Sequence, residues 1–295
     1  MKGYAFKKID AFTDGLSPGN PAGCIYLREP GDISVPEMQR LARQLKGFVN
    51  EVAYIFPEGD AYFLKYYSSE REVDFCGHAT IAAAYDFLQN DPEQCKRSQL
   101  PIRVGTNRLV VFNEIANDGC VYLMAPPPQY LSLPMAADDI ARALGISFVD
   151  TDGDFAPALV NGGLKTLIMP IRRSGVLCDI LPEMERLHDF CVKFSIDIVL
   201  VFTANATRPG SDYRTRVFAP RFGYLEDPAT GSGNAALGYY LMKNGRWDGG
   251  KLTIEQGSSY ECPNMIRLKS VTQEGVARVL IGGSAAVKIK GTYYL

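Results

Sequence analysis

Two stretches of this chain, about half its length apart, are built to one plan. The first runs Phe75-Cys76-Gly77-His78-Ala79-Thr80-Ile81-Ala82-Ala83-Ala84-Tyr85, and the second Asp227-Pro228-Ala229-Thr230-Gly231-Ser232-Gly233-Asn234-Ala235-Ala236-Leu237. Each has an acidic lead-in (Glu72 and Asp74; Glu226 and Asp227), a glycine turn, and then a helix-compatible run with a face of small residues. The correspondence extends along both half-chains. Pro182-Glu183-Met184 echoes Pro36-Glu37-Met38, 146 residues earlier, while Tyr213 answers Tyr62 at 151, Gly231 answers Gly77 at 154 and Gly257 answers Gly105 at 152. Order and spacing held this well indicate a duplicated unit, and the period is far too long for a solenoid.

The unit itself reads as α+β. Lys8 to Phe12, Ala22 to Leu27, Val49 to Phe56, Tyr62 to Tyr67, Leu100 to Gly105, Leu109 to Phe112 and Val121 to Met124 have strand character, with turn formers between them. Ser34-Val35-Pro36-Glu37 is a capping box with proline near the helix start, and Met38, Leu41 and Leu45 follow at helical spacing. Ile196 to Phe202 and Tyr213 to Phe218 repeat the strands at Val49 and Tyr62. We expect two pseudo-symmetric domains of mostly antiparallel strands, each curled around one central helix. Ala79, Ala82, Ala83 and Ala84 in one copy, and Ala235, Ala236 and Gly238 in the other, would let a sheet come close. Ala125-Pro126-Pro127-Pro128 is the stiffest connection and marks the boundary.

Composition narrows the function. At 295 residues, 46% hydrophobic and 22% charged, the chain is long enough for two cores. The 31 basic and 33 acidic residues leave a net charge of -2 with no Lys/Arg block, so nucleic acid is not an expected partner and a small neutral or anionic ligand is. No stretch approaches the length of a membrane span, and Met1 to Asp10 lacks a signal-peptide core; a cytoplasmic protein with no membrane partner is expected. Seven scattered cysteines without a C-x-x-C pair suggest neither a disulfide framework nor a structural metal site. His188, on a charged helix, reads as surface.

A glycine turn that opens into a helix presents unpaired N–H groups and the positive end of the helix dipole, which suits a carboxylate or phosphate. The plainer alternative is a capped helix, with Thr230 or Ser232 at the N-cap and nothing bound. Were the two turns to face each other across a domain interface, one ligand could lie against both helix ends.

At these residues the sequence resembles the PhzF-like (phenazine biosynthesis) family, whose members share the diaminopimelate-epimerase fold. The matching pieces are Asp10-Ala11-Phe12-Thr13 with Gly19-Asn20-Pro21-Ala22, then Asn50-Glu51, Cys76-Gly77-His78-Ala79-Thr80 and Glu226-Asp227-Pro228-Ala229-Thr230-Gly231-Ser232, in family order. The resemblance implies two domains, each a β-barrel around a central helix, with the site between them. It also implies that the last strand, near Val287 to Leu295, returns to the first domain. The domains would then be 1–125 plus 285–295, and 129–284. It further implies a proton-transfer isomerase that uses no cofactor and no metal, acting on a small carboxylate-bearing substrate. Glu51 would be the general acid and base, with His78 and Asp227 as catalytic helpers and Asn20, Cys76, Gly77, Gly231 and Ser232 binding substrate. A carboxylate shielded from water has a raised pKa, which suits it to give a proton as well as take one.

The match has departures. Epimerases of this fold carry a cysteine at each turn, and here Thr230 stands opposite Cys76, which argues against a two-thiol racemase. Asn50 replaces a frequent serine, Tyr67-Ser68 replaces Thr-Pro, and Gly233-Asn234 replaces a common Ala-His. Three rival readings stay open: an epimerase or racemase, a binding protein that kept the fold without turnover, and a nucleotide-binding oxidoreductase. The last has only Gly231-x-Gly233 and Gly238 behind it, without the G-x-G-x-x-G spacing. A homodimer is also left open.

Overall fold

The computed structural model describes residues 2–295. Among the described residues there are eighteen strands and seven α-helices, mixed along the chain in the α+β manner. The chain forms two compact units, Met1–Met124 with Gly282–Leu295, and Ala125–Ile281. The first unit holds β1 (Gly3–Ala11), β2 (Asn20–Tyr26), α1 (Val35–Gln44), β3 (Glu51–Glu58), β4 (Ala61–Ser68), β5 (Glu72–Val73), α2 (Gly77–Asn90), β6 (Gln99–Val104), β7 (Asn107–Glu114), the short α3 (Ile115–Asp118) and β8 (Cys120–Met124). The second holds β9 (Gln129–Leu131), α4 (Ala137–Leu144), β10 (Ala158–Asn161), β11 (Lys165–Pro170), α5 (Ser174–Asp179), α6 (Met184–Lys193), β12 (Ile198–Thr203), β13 (Tyr213–Phe218), β14 (Glu226–Asp227), α7 (Gly231–Lys243), β15 (Leu252–Gln256) and β16 (Asn264–Gln273). Then come β17 (Val276–Gly283) and β18 (Ala285–Tyr294).

Strand pairing shows the duplication directly. In the first unit β1 and β2 are antiparallel, β2 and β3 parallel, β3 and β4 antiparallel, and β4 holds the two-residue β5 antiparallel and β6 parallel. The second unit repeats this order of hands with β10, β11, β12, β13, β14 and β15. β6 then pairs antiparallel with β7, as β15 does with β16. At the chain's end β18 pairs antiparallel with β1, from Gly3 opposite Tyr294 to Ala11 opposite Ala285, so the last strand belongs to the first unit.

Alternation along the strands sorts residues onto two faces. In the first unit Val52, Tyr54 and Phe56 of β3, with Tyr67 of β4 and Phe6 of β1, pack under α1 against Met38, Leu41 and Leu45. The capping box holds the start of α1: Ser34 accepts from Glu37 N, and Glu37 accepts from Ser34 N. The residues between them, Glu51, Ala53 and Ile55, therefore face α2. This helix packs against β1, β2, β3, β8 and β18, so the sheet curls round it, and Ala79, Ala82, Ala83 and Ala84 are all buried.

In the second unit α4, α5 and α6 cover the outer face, burying Ile140, Leu144, Leu177, Leu187 and Cys191 against Leu167, Met169, Val199 and Val201. α7 takes the inner face, buried from Gly233 to Leu241. A Cβ on Gly162 would stand 3.2 Å from the Ala236 backbone nitrogen, so the bend just after β10 and the backbone of α7 meet there without a side chain between them. α4 lies outside the elements expected from the sequence, although Asp138 and Asp139 in its first turn and Gly145 after its end mark it. No described helix is long and apolar enough to cross a membrane.

Candidate active site

Glu51 opens β3 and is held on both sides, with Ala22 as its partner on β2 and Ser68 on β4. Its face of the sheet points at the start of α2, where Cys76 is the N-cap residue and His78 lies in the first turn. The Glu51 Oε2 and His78 Nε2 atoms stand 3.2 Å apart, with side-chain exposures of 18% and 13%. Cys76 Sγ lies against the same imidazole, 3.4 Å from Nδ1 and 3.8 Å from Nε2. Glu51, Cys76 and His78, all named from the sequence, thus form one cluster with ligand-type atoms within 4.8 Å of one another.

Burial pulls His78 from the ordinary histidine value near 6.5 down to about 4, while the Glu51 carboxylate beside it pulls the other way. The ring is neutral at physiological pH on this balance, with one donor and one acceptor. Nε2–H donating to Glu51 satisfies one edge, and the Cys76 sulfur packs against the ring.

The platform below is stiff. The Thr80 hydroxyl donates to the Cys76 carbonyl at 2.7 Å, and Tyr66 from β4 meets the same hydroxyl at 2.5 Å in a fully buried contact. Asn20, also buried, accepts from Asn50 Nδ2 at 3.2 Å on the neighbouring strand end. Gly77 has only Phe75 near the position of a Cβ, at 3.8 Å.

The second turn is built differently. Asp227 is buried and accepts the Thr230 hydroxyl. Thr230 occupies the N-cap position of α7, but its hydroxyl caps no helix amide. Gln256, at the end of β15, accepts from Thr230 N at 3.0 Å and Asn234 Nδ2 at 2.7 Å, and donates to the Asp227 carbonyl at 2.8 Å. Asn234 also donates to the Thr230 carbonyl at 2.9 Å. Gly231 and Ser232 form the first turn of α7 and are half-buried. Gln256 was not named from the sequence; its only signal was Gly257, the repeat partner of Gly105. Asn234, one of the departures from the family pattern, lies fully buried beneath its turn. His188 is 45% exposed beside Asp189 on α6. An open hollow of about 490 Å³ in the second unit, lined by Asp212, Tyr213, Arg246, Trp247, Asp248 and Lys251 among others, contains none of the expected site residues.

A family model described as phenazine biosynthesis-like protein matches residues 9–291. The chain belongs to that family. It is 27% identical over 290 residues to an uncharacterized isomerase of Bacillus subtilis, covering 97% of each chain. It is 25% identical to the trans-2,3-dihydro-3-hydroxyanthranilate isomerase of Pseudomonas chlororaphis, covering 97% of this chain and 98% of that one. The crystal structure of a PhzF-family protein from Bacillus anthracis superposes over the full length of both chains with a TM-score of 0.89 at 21% identity, which shows a shared fold. The chain is therefore an isomerase of the phenazine biosynthesis-like family.

Proposed function

We propose that this isomerase moves a proton between carbons of a small carboxylate-bearing substrate without a cofactor, on a diaminopimelate-epimerase-like scaffold whose two sheets close as barrels. Glu51 is the group that takes the proton and returns it. The observation that carries this reading is the Glu51 carboxylate held 3.2 Å from His78 on a strand paired along both edges. Fixing the carboxylate there removes the cost of orienting it in each turnover. His78 shares its proton with Glu51 and steadies the carboxylate as it changes charge. The helix-end amide at Gly77 would hold the substrate carboxylate and stabilise enolate-like charge as it develops, and Gly231 with Ser232 offer the same kind of anion-binding helix end in the second unit. Asn20 and Asp227 complete the set, Asp227 through its hold on the Thr230 turn. The relative from Pseudomonas chlororaphis is named for trans-2,3-dihydro-3-hydroxyanthranilate, and cyclic carboxylates are the first substrates to try.

One observation favours a second reading, an epimerase: Cys76 Sγ lies 3.4 Å from a histidine nitrogen, a pairing that can generate thiolate. Its counterpart Thr230 offers no thiol for the opposite face.

The test is solvent deuterium incorporation, followed by mass spectrometry, into a panel of small cyclic and amino carboxylic acids. Labelling by wild type that disappears in Glu51→Gln and survives in Cys76→Ser supports the isomerase. Labelling lost in Cys76→Ser and kept in Glu51→Gln supports the epimerase. No labelling by wild type, together with a ligand that both proteins bind equally in a thermal-shift screen, would replace both with a binding role.

A further inference from the structure

We propose that Glu51, Cys76 and His78 also form a binding site for a thiophilic divalent cation of the zinc class, with one coordination position left open. Among the described residues this is the group of three potential metal ligands drawn together, within 4.8 Å. The donors are a thiol, an imidazole and a carboxylate, each a usual zinc ligand, and the sulfur selects against magnesium and calcium. Tetrahedral bonds to zinc place such ligand atoms about 3.3–3.6 Å apart. Here His78 Nε2 lies 3.2 Å from Glu51 Oε2 and 3.8 Å from Cys76 Sγ, within a few tenths of an ångström of those separations, and the third pair, Cys76 and Glu51, lies within 4.8 Å.

The frame supports that geometry. Glu51 is fixed by two strand neighbours, and the Cys76 turn is held by Thr80 and, behind it, Tyr66. His78 would bind through Nε2 with its proton moved to Nδ1, Glu51 as the carboxylate, and Cys76 as thiolate with its proton released to solvent, so metal binding should strengthen with pH. An ion there would occupy the carboxylate that the proton transfer uses, making zinc a reversible stop on turnover. The inference needs only the three ligands and stands apart from the isomerase reading.

Cobalt(II) substitution in the full chain tests it. Metal-free protein titrated with cobalt should develop a thiolate-to-cobalt charge-transfer band in the near ultraviolet, and zinc should displace it. The band should be lost in Cys76→Ser and retained in Cys95→Ser, whose thiol is exposed. Glu51→Gln and His78→Asn should each weaken zinc binding by at least about tenfold. Should Cys76→Ser misfold, wild type still answers: zinc should slow alkylation of Cys76, read by peptide mass spectrometry, while Cys95 stays reactive. No band and no protection, or a band that persists in Cys76→Ser, would overturn the site. Deuterium exchange on metal-free protein is scored separately, so failure of the isomerase leaves the metal result readable, and the reverse.

Discussion

The two glycine turns occupy matching positions in the two units and have opposite chemistry. In the first unit, β3 opens with Glu51, and the turn carries Cys76 and His78. The matching positions in the second unit are Ile198, Thr230 and Ser232. Beneath the turns the polarity reverses. Leu64 on β4 lies opposite Val104 on β6, while Thr215 on β13 lies opposite Gln256 on β15. Thr215 and Gln256 both bond to Asn234 of α7, whereas Leu64 and Val104 are ordinary core. At this strand pair one unit thus has an apolar foundation, with Glu51, Cys76 and His78 at its turn; the other has a polar foundation bonded to its helix, with Ile198, Thr230 and Ser232 at the matching positions. A duplicated frame can specialise this way because alternation fixes which face a position serves, and only the side chain there is free to differ.

The largest expected effect tests the reactive half. Glu51→Gln keeps shape and loses the base, so the rate of deuterium exchange should fall by about 10²–10⁴ with little change in melting temperature. A loss of stability with exchange retained would make Glu51 a structural counterpart of Ile198. Next comes the rigid half. Gln256→Ala removes the partner of Thr230 N, Asn234 Nδ2 and the Asp227 carbonyl together, and should cost about 3–5 kcal/mol in denaturant unfolding. Val104→Ala, the same position in the first unit, should cost less, about 1–3 kcal/mol, because it loses only apolar contact. Equal costs would erase the distinction between a polar and an apolar foundation.

Much of the frame was legible in the sequence because duplication makes each half a check on the other. Glycine turns, acidic lead-ins and the Tyr62 and Tyr213 strands recur in register, and the strand pairings repeat with them. Glu51 was legible through the family pattern, and period-two alternation then places it on the face toward α2. The network under the second turn was not legible. Gln256 and Asn234 lie 22 positions apart and meet because β15 runs parallel to β13 beneath α7, a pairing that leaves no local mark. Spacing also could not show that the Thr230 hydroxyl turns back to Asp227 and leaves the helix uncapped.

A smaller effect probes how each turn is tied to its helix. Thr80 in α2 and Asn234 in α7 do the same work, each donating to the carbonyl of its own N-cap residue. Thr80→Val is nearly isosteric and leaves the buried Tyr66 hydroxyl without this partner, so it should cost about 2 kcal/mol. It should also loosen Cys76, seen as faster alkylation of that thiol. Thr80→Ser keeps the hydroxyl and should restore slow alkylation; if it does not, the threonine methyl packing, not the hydrogen bond, holds the turn.

The smallest effect is electrostatic and belongs to the first unit alone, since Ser232 stands where His78 does. A folded-state value of about 4 against 6.5 in the unfolded chain means that, below pH 6.5, the unfolded state takes up a proton that the folded state refuses. The contribution of neutral His78 is complete above pH 6.5 and is lost as pH falls toward 4. Glu51, by attracting the charged ring, offsets part of this, leaving about 1–2 kcal/mol between pH 7 and pH 4. His78→Asn should flatten the stability profile by that amount in this window and leave it unchanged above pH 7, measured by urea unfolding across the range. Glu51→Gln removes the offset and should steepen the same slope. If His78→Asn leaves the slope as it was, the imidazole is protonated alongside Glu51 as an ion pair, and the first turn carries a fixed charge in place of a neutral ring.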